Sequence, residues 1–159
     1  MVDGPALAVA VRELEDRLGP CDVLIANAGI YRKTDVRQFD AEEANRVVAT
    51  NVQGVLNAFG AVLPGMIRRR AGRLAAVASI AGMVGLPGAA AYSASKAAVI
   101  TLLQSLRVDL YPLGIKVTAI CPGYVDTAMI TDLERATLKH LLTAEEVLQI
   151  MAAKRQRVG

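Results

Sequence analysis

Tyr92 and Lys96 stand four residues apart in Tyr92-Ser93-Ala94-Ser95-Lys96, with Ser79 thirteen residues before the tyrosine and Asn51 further upstream. Residues four apart on a helix share one face. A phenol titrates near pH 10 in water, so at neutral pH it is a poor base. A lysine ammonium roughly 4 Å away, at an effective dielectric of about 20, would favour the phenolate by on the order of 4 kcal/mol, or about three pKa units at most. That would bring Tyr92 towards the range useful for general acid–base work. The Ser79 hydroxyl could then hold a substrate oxygen beside the phenol. Ser93-Ala94-Ser95-Lys96 also fits the Ser-x-x-Lys nucleophile pattern of penicillin-recognising enzymes, but their companion Ser-Asp-Asn and Lys-Thr-Gly motifs do not occur in the chain. Ala78-Ser79-Ile80-Ala81-Gly82 lacks the first glycine of a hydrolase Gly-x-Ser-x-Gly elbow.

These side chains need elements to hold them together. Asp3-Gly4-Pro5 opens a helix, with proline suited to its first position, and Gly19-Pro20 stops it. Asp22 to Ala26 is a short apolar run that reads as a buried parallel strand, ending in Asn27-Ala28-Gly29. Asp40 with Glu43 signals a helix that continues to Arg70, kinked or broken at Pro64-Gly65. Gly72 to Ser79 reads as a second strand, Tyr92 to Tyr111 as a helix, and Ile115 to Ile120 as a third strand stopped by Pro122-Gly123. A short helix from Thr131 or Asp132 to Leu142 follows, and Thr143 with Glu146 starts a last helix reaching about Arg157. Strands alternating with helices imply βαβ units and a parallel sheet. Ligands of such sheets bind at the carboxyl ends of the strands, where Asn27, Ser79 and Pro122-Gly123 all fall.

The bulk numbers agree with one globular domain. The chain has 159 residues, 53% hydrophobic but only 4% aromatic, so its core is built from Ala, Val, Leu and Ile. A net charge of +3 is mild. The basic clusters at Arg68, Arg69, Arg70 and Arg73 and at Lys154, Arg155 and Arg157 fall at expected helix ends, where cations suit the macrodipole; no nucleic-acid partner is read from them. Leu74 to Ser95 carries no charge over 22 residues, but Gly82, Gly85, Pro87 and Gly88 interrupt it, so it reads as strand and loop and not as a membrane span. Those glycines read as loop glycines and not as a phosphate cradle. Two cysteines, Cys21 and Cys121, and one histidine, His140, make neither a disulfide framework nor a metal site, and a reducing cytoplasm is the default location.

Taken together, Asn27-Ala28-Gly29, Asn51-Val52-Gln53-Gly54, Ser79, Tyr92-x-x-x-Lys96 and Pro122-Gly123-Tyr124-Val125-Asp126-Thr127 resemble the short-chain dehydrogenase/reductase family over nearly the whole chain. Tyr-x-x-x-Lys alone is weak; the five segments in this order carry the resemblance. It implies an α/β fold of the doubly wound, three-layer Rossmann type, cut here to about three parallel strands with flanking helices. It implies hydride transfer between NAD or NADP and a small alcohol or carbonyl substrate. Tyr92 would be the general acid/base, Lys96 would tune it and hold the nicotinamide ribose, Ser79 would hold the substrate oxygen, and Asn51 would order a water of a proton relay. Asn27, Ala28 and Gly29 would line the adenosine-ribose side of the cofactor. Val125 and Thr127 would bind the carboxamide, with Pro122 and Gly123 shaping the backbone. Ile130, Leu133 and Leu138 suggest an apolar substrate wall. The helices at about 41–70 and 92–111 would pack against partner subunits in a homodimer or homotetramer, with Ala97, Leu103 and Val108 on that face.

The family's opening strand–helix–strand–helix–strand, with its Thr-Gly-x-x-x-Gly-x-Gly turn, has no counterpart in these residues, nor has its last strand. Residues 1–159 therefore read as a partial domain without the pyrophosphate cradle, expected to bind NADH or NADPH poorly in isolation. The strand at 23–26 would then present a bare edge. Two other readings follow: a catalytically incompetent family member that serves only as an oligomerisation module, or a product without a stable fold.

Overall fold

The computed structural model describes residues 2–127, 129, 142–146 and 149. The expected helix at 131–142, the end of the last helix, His140, the basic residues at 154–157 and the apolar Ile130, Leu133 and Leu138 lie outside the described residues, Leu142 excepted. The chain divides into two compact units, Met1–Cys121 and Pro122–Gly159.

The first unit opens with α1, Gly4–Leu18, whose N-cap Asp3 accepts the Ala6 N–H at 2.9 Å. Next come β1, Val23–Ala26, and α2, Ala41–Val48, capped by Asp40 accepting the Glu43 N–H. A π-helical turn, Ala49–Gln53, leads into α3, Gly54–Arg69. Then follow β2, Gly72–Val77, a 3-10 turn at Ile80–Gly82, α4, Ala90–Leu110, and β3, Ile115–Ile120. The helix therefore runs through Pro64, and its irregularity lies one stretch earlier, around Asn51. The second strand ends two residues sooner than expected, which frees Ser79 to cap the 3-10 turn by accepting the Ala81 N–H at 3.1 Å.

The three strands are parallel in the order β1-β2-β3. Leu24 pairs with Leu74 and Leu74 with Val117, so these three share one face; Ala26 and Ala76 lie on it too. That face joins Val55, Phe59 and Met66 of α3 and Val99 and Leu103 of α4 in one buried cluster. Burial here is the main stabilising term, at about 25 cal/mol per Å² of apolar surface. On the opposite face Val23, Ile25, Arg73, Lys116 and Thr118 are exposed. Among the described residues β1 and β3 are the two outer strands of the sheet. The helical run Ala41–Arg69 is long and apolar enough by length and composition to cross a membrane, yet Val47, Val55, Phe59, Val62 and Met66 from it are buried in the protein. Cations at the end of α3 cap carbonyls: Arg69 donates to Cys21 O and Arg70 to Pro112 O.

In the second unit, Leu142 bridges Val125 in parallel, with the Leu142 N–H donating to Tyr124 O and the Asp126 N–H to Leu142 O. Thr143 and Glu146 form the expected capping box: the Thr143 N–H donates to the Glu146 carboxylate at 2.7 Å and the Glu146 N–H to Thr143 Oγ1 at 3.1 Å.

Candidate active site

Four of the residues singled out for chemistry converge at the carboxyl ends of β1 and β2. Ser79 follows β2, Tyr92 and Lys96 lie in the first two turns of α4, and Asn51 sits in the π turn. The 3-10 turn after Ser79 is seated on α4. A Cβ on Gly82 would lie 2.6 Å from the Lys96 carbonyl carbon and 2.7 Å from the Ala97 nitrogen, so only glycine permits this approach. That contact draws Ser79 alongside Tyr92. Among the three interrupting glycines of this region, Gly82 is thus a packing residue, while Gly88 has φ +70° and nothing lies within 4 Å of a Cβ on Gly85.

Lys96 is 4% exposed, and its ammonium donates to Val77 O at 2.7 Å. Its Nζ lies 5.6 Å from the centre of the Tyr92 ring. Burial lowers its pKa from 10.5 to about 8, partly opposed by Cys121, whose thiolate would favour the charged lysine. The same burial raises the Cys121 thiol, and Lys96 pulls it back. Burial likewise raises the Tyr92 phenol above 10, and the neighbouring Ser79 hydroxyl, which favours the ionised form, draws it part of the way down. The strong lowering of Tyr92 expected from Lys96 is therefore corrected. The ammonium is tethered to a backbone carbonyl over the ring, and loss of water around the phenol outweighs any help to the phenolate. At neutral pH Tyr92 is a protonated acid.

Asn51 is 1% exposed and its amide is spent on the protein. Oδ1 accepts the Ile30 N–H at 2.8 Å, and Nδ2 donates to Ile30 O and to Ser95 Oγ, each at 2.9 Å. Asn27, Ala28 and Gly29 form the irregular segment directly after β1. A Cβ on Gly29 would come within 3.1 Å of Asn51 Oδ1 and 3.3 Å of Lys96 Nζ, so this glycine leaves room for both side chains. Pro122, Gly123, Val125 and Thr127 belong to the second unit, where Thr127 Oγ1 accepts the Met129 N–H at 3.4 Å. Among the described residues no group of three metal-ligating side chains occurs.

Sequence reasoning missed four participants: the Val77 carbonyl, Cys121 beside Lys96, Ser95 and Tyr31. Ser95 carried a signal, since a small polar residue three after Tyr92 on a helix faces the same side. For the others the contact exists only once the chain has folded.

A parallel three-stranded sheet with a tyrosine, a lysine and a serine gathered at its carboxyl rim defines a class of α/β proteins that work at strand ends. The sequence profile of the short chain dehydrogenase family matches residues 3–137, and the chain belongs to that family. An uncharacterized oxidoreductase of Myxococcus xanthus is 38% identical over 141 residues, which are 89% of this chain and 55% of that protein. The 3-oxoacyl-[acyl-carrier-protein] reductase FabG of Staphylococcus aureus is 34% identical over 90% of this chain and 58% of its own length. A gluconate 5-dehydrogenase from Burkholderia cenocepacia, solved with NADP and tartrate, superposes with a TM-score of 0.78 at 29% identity, over 91% of this chain and 54% of that one. The chain spans about half the length of the curated relatives it matches.

Proposed function

We propose that the chain carries the acid–base half of an oxidoreductase that interconverts an alcohol and a carbonyl compound with NAD or NADP. The observation that carries this reading is the Ser79 hydroxyl beside the Tyr92 phenol, with the buried Lys96 ammonium over the same ring. In the reducing direction the Tyr92 O–H gives its proton to the substrate oxygen, which the Ser79 hydroxyl holds by a hydrogen bond. In the oxidising direction the phenol first releases its proton to solvent, and the phenolate, beside the Lys96 ammonium that is still largely charged at neutral pH, then takes the proton of the alcohol. The nicotinamide ring, when bound, supplies or accepts the hydride.

The donor set suits such a cofactor. Lys96 commits its ammonium to one backbone carbonyl, Val77 O, and an ammonium has three hydrogens to give, so hydroxyls of a ribose match it. Tyr92 and Lys96 would hold that ribose, Asn27, Ala28 and Gly29 would line the adenosine side, and Pro122, Gly123, Val125 and Thr127 would receive the carboxamide. Asn51 would serve the proton relay as a frame, since its amide is already paired. The substrate is a small molecule and the location cytoplasmic. Assembly would be a homodimer or homotetramer, supported by exposed Leu56 and Ile67 on α3 and by Val108 on α4 at 73% exposure. Leu103, expected on that face, is instead wholly buried in the core.

The test is turnover of NADH or NADPH with a panel of carbonyl compounds, in the parent sequence and in Tyr92→Phe. Turnover lost in the variant with cofactor affinity kept supports the reading. Retained turnover removes Tyr92 from its role. The exposed apolar Leu56, Ile67 and Val108 on α3 and α4 also suit a second reading, an oligomerisation module without activity. That reading predicts no turnover in either protein and a stable oligomer by light scattering.

A further inference from the structure

Tyr31 reaches the site from the segment after β1, and none of the roles above uses it. Its ring meets the Tyr92 ring edge to face, with centroids 5.4 Å apart and planes at 89°. This is the preferred geometry for two aromatic quadrupoles. The backbone that carries Tyr31 is pinned one residue earlier, because the Asn51 amide closes both the N–H and the C=O of Ile30. The second hydrogen of the same amide goes to Ser95 Oγ, which donates in turn to Tyr92 O at 2.7 Å. Asn51 and Ser95 are each 1% exposed, so water does not compete for these bonds. One side-chain amide thus ties the Tyr31 segment and the first turn of α4 into one frame.

The frame fixes the backbone of Tyr92 but not its ring, which can still swing about two side-chain bonds. The neighbouring groups that act on the ring are Lys96 over it, the Ser79 hydroxyl near its oxygen, and Tyr31 across it. Of these three described neighbours Tyr31 offers the large surface, and a misplaced proton donor is costly to rate. We propose that Tyr31 is a positioning residue that holds the Tyr92 ring in its working rotamer, with Asn51 and Ser95 as the frame that delivers it. The proposal rests on the acid–base reading of Tyr92 given above.

Two measurements test it. In the 159-residue chain, the three-bond Hα–Hβ couplings of Tyr92 report its rotamer without any turnover. They should show one rotamer in the parent and in Tyr31→Phe, and rotamer averaging in Tyr31→Ala. If Tyr31→Ala does not fold by circular dichroism, Tyr31→Leu keeps apolar bulk without the ring edge and should average likewise. In protein that turns over, Tyr31→Ala should lower kcat roughly three- to tenfold, the size of a typical aromatic pair's contribution, with the KM for cofactor unchanged and Tyr31→Phe within about twofold of the parent. A single unchanged rotamer in the variant that lacks the ring overturns the proposal. So does an unchanged kcat. Absence of turnover in the parent would instead count against the acid–base reading, and the couplings would still decide the role of Tyr31.

Discussion

Replacing Lys96 by Met separates two accounts of what the buried ammonium does. The folded protein holds Lys96 at a pKa of about 8, against 10.5 for an exposed lysine. The difference, 10.5 minus 8, corresponds to about 3 kcal/mol at about 1.4 kcal/mol per unit. Between these two values the unfolded chain binds a proton that the folded chain does not. Stability from this group therefore rises as pH climbs from 8 to 10.5, and below about 8 the cost of burying the charge is borne in full. Lys96→Met has no such charge. The stability of the parent relative to this variant should thus increase by about 3 kcal/mol between pH 7 and pH 11. The lost hydrogen bond to Val77 O shifts the two curves by a constant and leaves the slope unaffected. Urea denaturation followed by circular dichroism at 222 nm gives both curves in a Cys121→Ala background, which removes the thiol coupled to Lys96, and the variant then cancels the titration of the groups that do not feel Lys96. A difference that does not change with pH refutes burial as the cause. A difference that falls with pH means Lys96 is raised by a phenolate partner, as the spacing to Tyr92 first suggested.

Three further outcomes follow from the same geometry. Asn51→Ala removes three hydrogen bonds and strands the Ile30 backbone groups, and should lower stability by about 3 kcal/mol in the same denaturation assay. Gly82→Ala forces a Cβ to 2.6 Å from the Lys96 backbone, which α4 cannot yield without moving Tyr92 and Lys96. It should cost about 1–3 kcal/mol and broaden the Tyr92 ring signals in NMR spectra. Titration of the 159-residue chain with NADH and with NADPH, followed by nucleotide fluorescence, should show no saturation in the micromolar range; a micromolar Kd for either would show that these residues suffice for the pyrophosphate.

Much of this was legible in the chain because local chemistry announced it. Asp3 and Asp40 sit where helix N-termini need acceptors, and both cap. Val23–Ala26 and Ile115–Ile120 are apolar runs bounded by turn residues, and both are strands. Ser79, Tyr92 and Lys96 were legible as a set because strand order carries them to one rim. The rest depends on tertiary contacts that no spacing encodes. Pro64 pointed to a break, but the helix instead widens at Ala49–Gln53, where Asn51 turns inward to bond Ile30. The direction of the Tyr92 shift was misread because a pair four apart suggests charge proximity, whereas burial of both groups sets their pKa values. Leu103 lies on a helix face that looks available until the sheet packs on it. Tyr31 carried no signal at all, since its role comes from a loop folded against a helix sixty residues away.

The central claim is that the Tyr92 oxygen passes a proton to and from a substrate oxygen steered by Ser79. Removal of that one atom tests it most directly, by steady-state turnover and nucleotide affinity of Tyr92→Phe measured side by side in active protein. The account predicts a loss of at least about a hundredfold in kcat, as for other positioned acid–base groups, with Kd for the nucleotide within about threefold. A Tyr92→Phe protein that turns over at the parent rate would contradict it.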